Sequence, residues 1–352
     1  MDLQQPRTGP ATLVEMLAYG VSHGMRVGWF MSHYLAAARL APRARWRDAP
    51  DPKSLPGSRA ILRDLAALLR RDWDNIRAGR YKPPFDLAVN PARALRASAR
   101  FFADLPAVHL RRRAQETQEI FRSGDPEAAY PRYYLQNFHH QTDGYLSRRS
   151  AELYDFQVET LFSGGADAMR RQALVPLGAH LRTLERPRLL DIACGTGRFL
   201  AFASDSFADV AVAGIDLSLP YLGQARRLLG RWGGACLVAG NAETLPFADS
   251  SLDAVSCTYL FHELPRAVRA RITAEMARVL KPGGLLVFLD SIQPGDHPPY
   301  DGLVERFPRS LHEPYFADYC AQDLPALFSD AGLSVTLTER AFFSKLLAAK
   351  KQ

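Results

Sequence analysis

Apolar positions recur at intervals of three and four along the first third of the chain, and they run in short unbroken blocks along its last half. From Arg59 to Arg71, residues Ile61, Leu62, Leu65, Leu68 and Leu69 fall on one face of a helix. A second helix is predicted over Pro91–Phe121, opened by a proline at the helix start and carrying Leu95, Phe101, Phe102, Leu105 and Leu110. The segment between them, RYKPPFDLAVNP, holds three prolines and reads as a connector. Residues 1–130 are therefore expected to be mostly helical. Beyond residue 180 the blocks are RLLDIA (188–193), VAVAGIDL (210–217), ACLVAGN (235–241), LDAVSCTYL (252–260), GGLLVFLDS (283–291), LSVTLTE (333–339) and AFFSKLLA (341–348). Strands spaced by crossover helices predict an α/β fold with a mostly parallel sheet. The last two blocks nearly touch, which predicts a closing hairpin and one antiparallel strand near the C-terminus.

Composition adds exclusions. The 352 residues are 47% apolar, 10% aromatic and 23% charged, which excludes a disordered, collagenous or coiled-coil chain. Four cysteines without a C-x-x-C pair make neither a disulfide scaffold nor a zinc knuckle. The opening MDLQQPRTGP lacks the basic flank and apolar run of a secretory signal, and His23, Arg26 and His33 interrupt the apolar stretch 11–40, so no membrane span is expected. A reducing, cytoplasmic location follows as an expectation. Residues 1–150 carry 24 Lys and Arg against 14 Asp and Glu. Such a basic part suits nucleic acid, anionic lipid or an acidic substrate, yet it is almost all arginine and reads equally as a solvated face.

In an open α/β sheet, ligands bind beyond the carboxyl ends of the strands. The first strand runs into Asp191-Ile192-Ala193-Cys194-Gly195-Thr196-Gly197, a glycine turn that lets a ligand approach the backbone. The third glycine of a dinucleotide fingerprint is replaced by Leu200, and an acid stands four residues before the first glycine. A carboxylate there repels a pyrophosphate and suits an ammonium group. The second strand ends at Asp216, fit for ribose hydroxyls, and the third at Asn241-Ala242, fit for an adenine edge. Ammonium, carboxylate, ribose and adenine together describe S-adenosylmethionine.

The ordered motifs DIACGTGRF, GIDLS, GNAETLPFADSSLDAV and VLKPGGLLVFLD resemble those of class I S-adenosylmethionine-dependent methyltransferases over residues 150–350. Within that family, LYDFQVETLFSGGADAMRRQAL (153–174) is similar to the entry segment of the ubiquinone/menaquinone-biosynthesis type, and LHEPYFADYC (311–320) to the cap after its fifth strand. The resemblance implies a Rossmann-like domain over 151–352 and a helical domain over 1–150 that covers the active site. It implies S-adenosyl-L-methionine as cofactor, with Asp191, Cys194, Gly195 and Gly197 near its methionine half, Asp216 and Leu217 at the ribose, and Asn241 and Ala242 at the adenine. Thr258 and Tyr154 are weaker contacts. The family usually has Asp where Asn241 stands.

Methyl transfer from a sulfonium disperses charge, so positioning in a dry pocket contributes most, and a base matters only if the acceptor must lose a proton. His262, after the fourth strand, is the candidate base, with His140 as a second catalytic candidate; a cap or packing role for His262 is the stronger alternative. Glu263 reads as an ordinary exposed first-turn carboxylate. The segment 133–157 gathers Tyr134, Asn137, His139, His140, Gln141, Asp143 and Tyr145, the composition of a lid, an acceptor pocket or a hydrogen-bonded hinge. No metal site is expected, because adjacent histidines diverge on a helix and no Cys or Asp cluster completes a ligand set. Cys194 and Cys257 read as small buried residues, and Lys281-Pro282-Gly283-Gly284 as a turn. The expected activity is methylation of a small or lipid-like organic acceptor at oxygen or carbon, with no nucleic-acid partner. The alternatives are a methyltransferase for RNA or protein and a non-catalytic cofactor-binding or assembly protein. Peripheral membrane contact is compatible with these features.

Overall fold

The structure, a computed structural model, describes residues 13–41, 55–87, 90–114, 120 and 130–352. The N-terminal part contributes α1 (Leu13–Leu40), α2 (Ser58–Arg77) and α3 (Pro91–Ala114). The residues expected to extend α3 to Phe121 lie outside the described ones except for 120. Then come α4 (Arg148–Leu161), α5 (Ala166–Gln172) and α6 (Leu174–Leu181). The alternating part follows as β1 (Arg188–Ile192), α7 (Arg198–Ser206), β2 (Ala211–Asp216), α8 (Leu219–Leu229), β3 (Cys236–Ala239), β4 (Leu252–Thr258), α9 (Arg266–Val279) and β5 (Leu280–Ser291). Helices α10 (Asp301–Leu311), α11 (Phe316–Cys320) and α12 (Leu324–Asp330) precede the hairpin of β6 (Leu333–Ala341) and β7 (Ser344–Lys351).

Among the described residues the strands form one sheet in the order β3-β2-β1-β4-β5-β7-β6. Strands β1 to β5 pair in parallel, and β7 runs antiparallel to both β5 and β6. Period-two alternation sends neighbouring side chains to opposite faces. Leu285, Val287 and Leu289 thus join the core beneath α6 and α7, while Leu286 and Phe288 join the one beneath α9 and α12. Burial on both faces is why these strands read as continuous apolar blocks. One expectation needs correction: residues 281–284 are not a turn preceding β5. Leu280 already pairs with Leu252, and the register then jumps to Ala254–Leu285, so the four residues bulge out of a ladder that has begun.

The N-terminal helices are tied down by buried charge. α1 and α3 pack on α4, and α2 packs on α5. Arg171 of α5 makes a bidentate pair with Asp72 of α2, at 3.0 and 2.6 Å, and the same carboxylate accepts hydrogen bonds from Tyr19 (2.5 Å) and Tyr81 (2.8 Å). Arg26 of α1 reaches Glu159 at 2.9 Å and Asp167 at 2.8 Å, and Arg198 also binds Asp167. Tyr19, Ile76 and Tyr81 belong to the same apolar core as Leu189 and Leu285 of the sheet.

Candidate active site

The strand order reverses between β1 and β4, and a cleft opens at their carboxyl ends. Ala193 and Gly195 of the turn 193–197 line its floor. Gly195 has φ +54, and a β-carbon there would meet nothing closer than 4.0 Å, so its backbone stands open to a ligand. Gly197, which begins α7 at φ +78, serves packing: a β-carbon would lie 3.0–3.1 Å from Ala225 of α8. Cys194 is buried, with its sulfur packed over Gly214 of β2.

Two carboxylates anchor this floor. Asp216 accepts the N–H of Gly195 at 2.8 Å and that of Ser218 at 2.7 Å, which locks the glycine turn to the end of β2. Burial pushes its carboxyl up to about 6. Asp191 is 1% exposed; its Oδ1 accepts from Ser256 at 2.7 Å, while Oδ2 has no hydrogen-bond partner among the described residues. Burial pushes it up to about 7. A buried carboxylate oxygen without a donor fits a ligand that brings a cation. Asn241 lines the cleft, but its amide is already engaged: Oδ1 accepts the N–H of Glu243 at 2.9 Å and Nδ2 donates to Glu243 at 3.0 Å.

The roof comes from the segment before the sheet. Tyr133, Tyr134, Phe138, Tyr145 and Tyr154 line the cleft together with Tyr221 of α8 and Tyr259 after β4. Ser218 donates to the carbonyl of Tyr145 at 2.6 Å, and Thr196 to Asp155 at 2.8 Å, so roof and floor are stapled at two points. Ring faces around a cleft that ends in carboxylates attract a cationic ligand.

Of the residues singled out in the sequence, Gly195, Asp216, Leu217, Asn241, Ala242, Thr258 and Tyr154 line the cleft. Asp191, Cys194 and Gly197 lie in or beneath its floor. His262 is buried outside the lining, its Nδ1 held at 2.6 Å by Asp290. Burial works against its charge, but Asp290 outweighs that and raises it to about 10, so the imidazole is cationic near neutral pH. His140 is also buried outside the lining, and burial, with His312 next to it, lowers it to about 4.

Glu263 departs from its reading as an exposed carboxylate. It lines the cleft with its side chain 13% exposed and accepts a 2.5 Å hydrogen bond from Tyr145. His139 places Nε2 3.6 Å from Glu263 and 3.2 Å from Glu313. Glu313, missed by the sequence reading, is buried, and burial pushes it up to about 7. Its signal was a lone acid in LHEPYF, and nothing local to that segment announces a partner some 170 residues earlier.

A family profile described as a methyltransferase domain matches residues 189–284. A demethylmenaquinone methyltransferase of Renibacterium salmoninarum is 33% identical over 144 residues, 41% of this chain and 56% of that protein. A ubiquinone/menaquinone biosynthesis C-methyltransferase UbiE of Methylobacterium nodulans is 38% identical over 151 residues, again 41% and 56%. A malonyl-[acyl-carrier protein] O-methyltransferase of Methylococcus capsulatus is 35% identical over 126 residues, 35% of this chain and 45% of that protein. This chain thus spans about half the length of the curated relatives it matches. A solved S-adenosylmethionine-dependent methyltransferase of Methanosarcina mazei is 24% identical, with a TM-score of 0.40 over 50% of this chain and 96% of that one. With the sheet order, the glycine turn and the acidic strand ends in place, the match identifies residues 189–284 of this chain as a methyltransferase domain.

Proposed function

We propose that the chain transfers a methyl group from S-adenosylmethionine to a small or lipid-like organic acceptor, at oxygen or carbon. The observation that carries this reading is the Asp216 carboxylate in the cleft wall, with the Asp191 carboxylate buried beneath the floor, under a roof of tyrosine and phenylalanine rings at the switch point of the sheet. Asp191 would meet the ammonium of the methionine half beside the open backbone of Gly195, Asp216 and Leu217 the ribose, and Asn241 and Ala242 the adenine. Thr258 and Tyr154 complete the wall. Since the Asn241 amide is committed to Glu243, this residue supports the adenine end by holding its loop.

When bound, the cofactor supplies an activated methyl on a sulfonium. The chain's own task is to exclude water, align the acceptor and remove a proton where the acceptor carries one. Seven aromatic rings shield the cleft. Glu263 is the carboxylate that the lining offers to an acceptor, oriented by the Tyr145 hydroxyl. His262 and His140 support this wall from outside the lining. The relatives' names, a demethylated menaquinone and a malonyl group on a carrier protein, support a lipid-like or carrier-bound organic acceptor.

Titration calorimetry with S-adenosylmethionine and with its demethylated product tests the reading, and saturable binding of both with one site per chain is expected. Absence of binding by either would overturn it. Binding without turnover on quinol, phenol or carboxylic acceptors would favour a non-catalytic role.

A further inference from the structure

We propose that His139, Glu263 and Glu313 form a binding site for one divalent transition-metal ion of the manganese, iron or zinc type, set in the wall of the cofactor cleft. One nitrogen and two carboxylate oxygens, one from each residue, all lie within 4.8 Å of one another. Ligand atoms about 2.0–2.2 Å from a shared ion stand about 3.0–3.5 Å apart in octahedral or tetrahedral geometry. The separations of 3.2 Å (His139–Glu313) and 3.6 Å (His139–Glu263) are close to that spacing.

A second observation points independently to a ligand. The Glu313 side chain is fully buried, and neither of its carboxylate oxygens has a hydrogen-bond partner among the described residues. Its Oε1 faces His139 Nε2 at 3.2 Å, and a divalent ion set between them would give the buried carboxylate a stronger charge partner. The surroundings are those of a metal ligand set. The Tyr145 hydroxyl fixes Glu263, and His262, pinned through Nδ1 by Asp290, keeps Nε2 3.9 Å from the same Glu263 oxygen. Three carboxylates, Glu263, Glu313 and Asp290, stand against two imidazoles in this cluster. One imidazole nitrogen with two carboxylate oxygens and no thiolate selects first-row divalent ions over soft ones.

Glu263 lines the cleft, so the free coordination positions of such an ion would open towards it. They suit an oxygen donor such as a phenol, enol or carboxylate. This last step rests on the methyltransferase reading; the ion site itself does not.

The test uses the full chain, stripped with a chelator and titrated with Mn²⁺ and, separately, Zn²⁺. One ion per chain with affinity on the order of micromolar is expected. In the Mn²⁺-loaded protein, electron spin-echo modulation should report a coordinated imidazole nitrogen. Glu313→Gln and His139→Asn should each weaken the ion at least about tenfold, while S-adenosylmethionine affinity measured in chelator stays unchanged in Glu313→Gln. The modulation needs no variant, so a poorly folding substitution does not shield the proposal. No saturation by either ion below about 1 mM, no imidazole signal, or ion affinity unchanged in both variants would overturn it. Loss of S-adenosylmethionine binding with ion binding intact would instead overturn the preceding reading.

Discussion

Asp191 and Asp216 are carboxylates that burial holds partly protonated near neutral pH, raised to about 7 and about 6. The sign of the consequence is fixed by linkage. Between pH 4 and 7 the unfolded chain has released these protons while the folded one retains them, so their contribution to stability falls as pH rises. The free protein should therefore show a smaller contribution at pH 8 than at pH 5.5, and Asp191→Asn should flatten this dependence in thermal melts. A cationic ligand reverses the preference. S-adenosylmethionine affinity should rise as pH is raised from 5.5 to 8, with proton release visible by calorimetry in buffers of different ionisation enthalpy; a pH-independent affinity would refute the ammonium role of Asp191. Asp216→Ala should weaken the cofactor by about 1–3 kcal/mol, the cost of leaving hydroxyl and N–H groups unpaired. Unchanged affinity would remove Asp216 from the ribose site.

At the scale of elements, the glycine turn separates two requirements that look alike in the sequence. Both glycines have positive φ, but only Gly197 is pressed against a neighbour, Ala225 of α8. Gly197→Ala should cost about 1–3 kcal/mol through strain and overpacking, read as a lowered Tm. Gly195→Ala places its methyl in open space at the floor of the cleft, so it should lose more in cofactor affinity than Gly197→Ala does. Equal effects of the two substitutions on affinity would contradict this division. The same scale explains Glu263. It was read as exposed because it follows a strand end in a short turn, and the hydroxyl that captures it belongs to Tyr145, on a segment more than a hundred residues away.

For the whole molecule, the basic N-terminal part is partly neutralised from within. Arg26 pairs with Glu159 and Asp167, Arg71 with Glu339, Arg100 with Glu152 and Arg149 with Asp104. Residues 1–150 are therefore proposed as a cover and not as a nucleic-acid platform. Titration with mixed RNA and duplex DNA at two salt concentrations should give weak binding, whereas tight binding with a steep salt slope would reverse this ranking. Asp72→Ala leaves the buried Arg171 without its bidentate partner and should cost about 3–5 kcal/mol. If the N-terminal helices were held loosely, Tm would barely move.

The sequence by itself determined the sheet, because strands buried on both faces must be continuous apolar blocks and crossover helices impose their spacing. It also determined the glycine turn and the acidic ends of β1 and β2, since these lie next to the strands that place them. What only the tertiary structure decided are the contacts made at long sequence separation. His139, Glu263 and Glu313 meet although they stand far apart in the sequence. The sequence argument against a metal placed adjacent histidines on a helix, whereas at His139 the backbone turns through φ +57. His262 looked like a free base because the strand end was visible and its partner, Asp290 at the end of β5, was not. Local pattern fixes which backbone is buried; side-chain electrostatics depend on which buried backbones come to lie side by side.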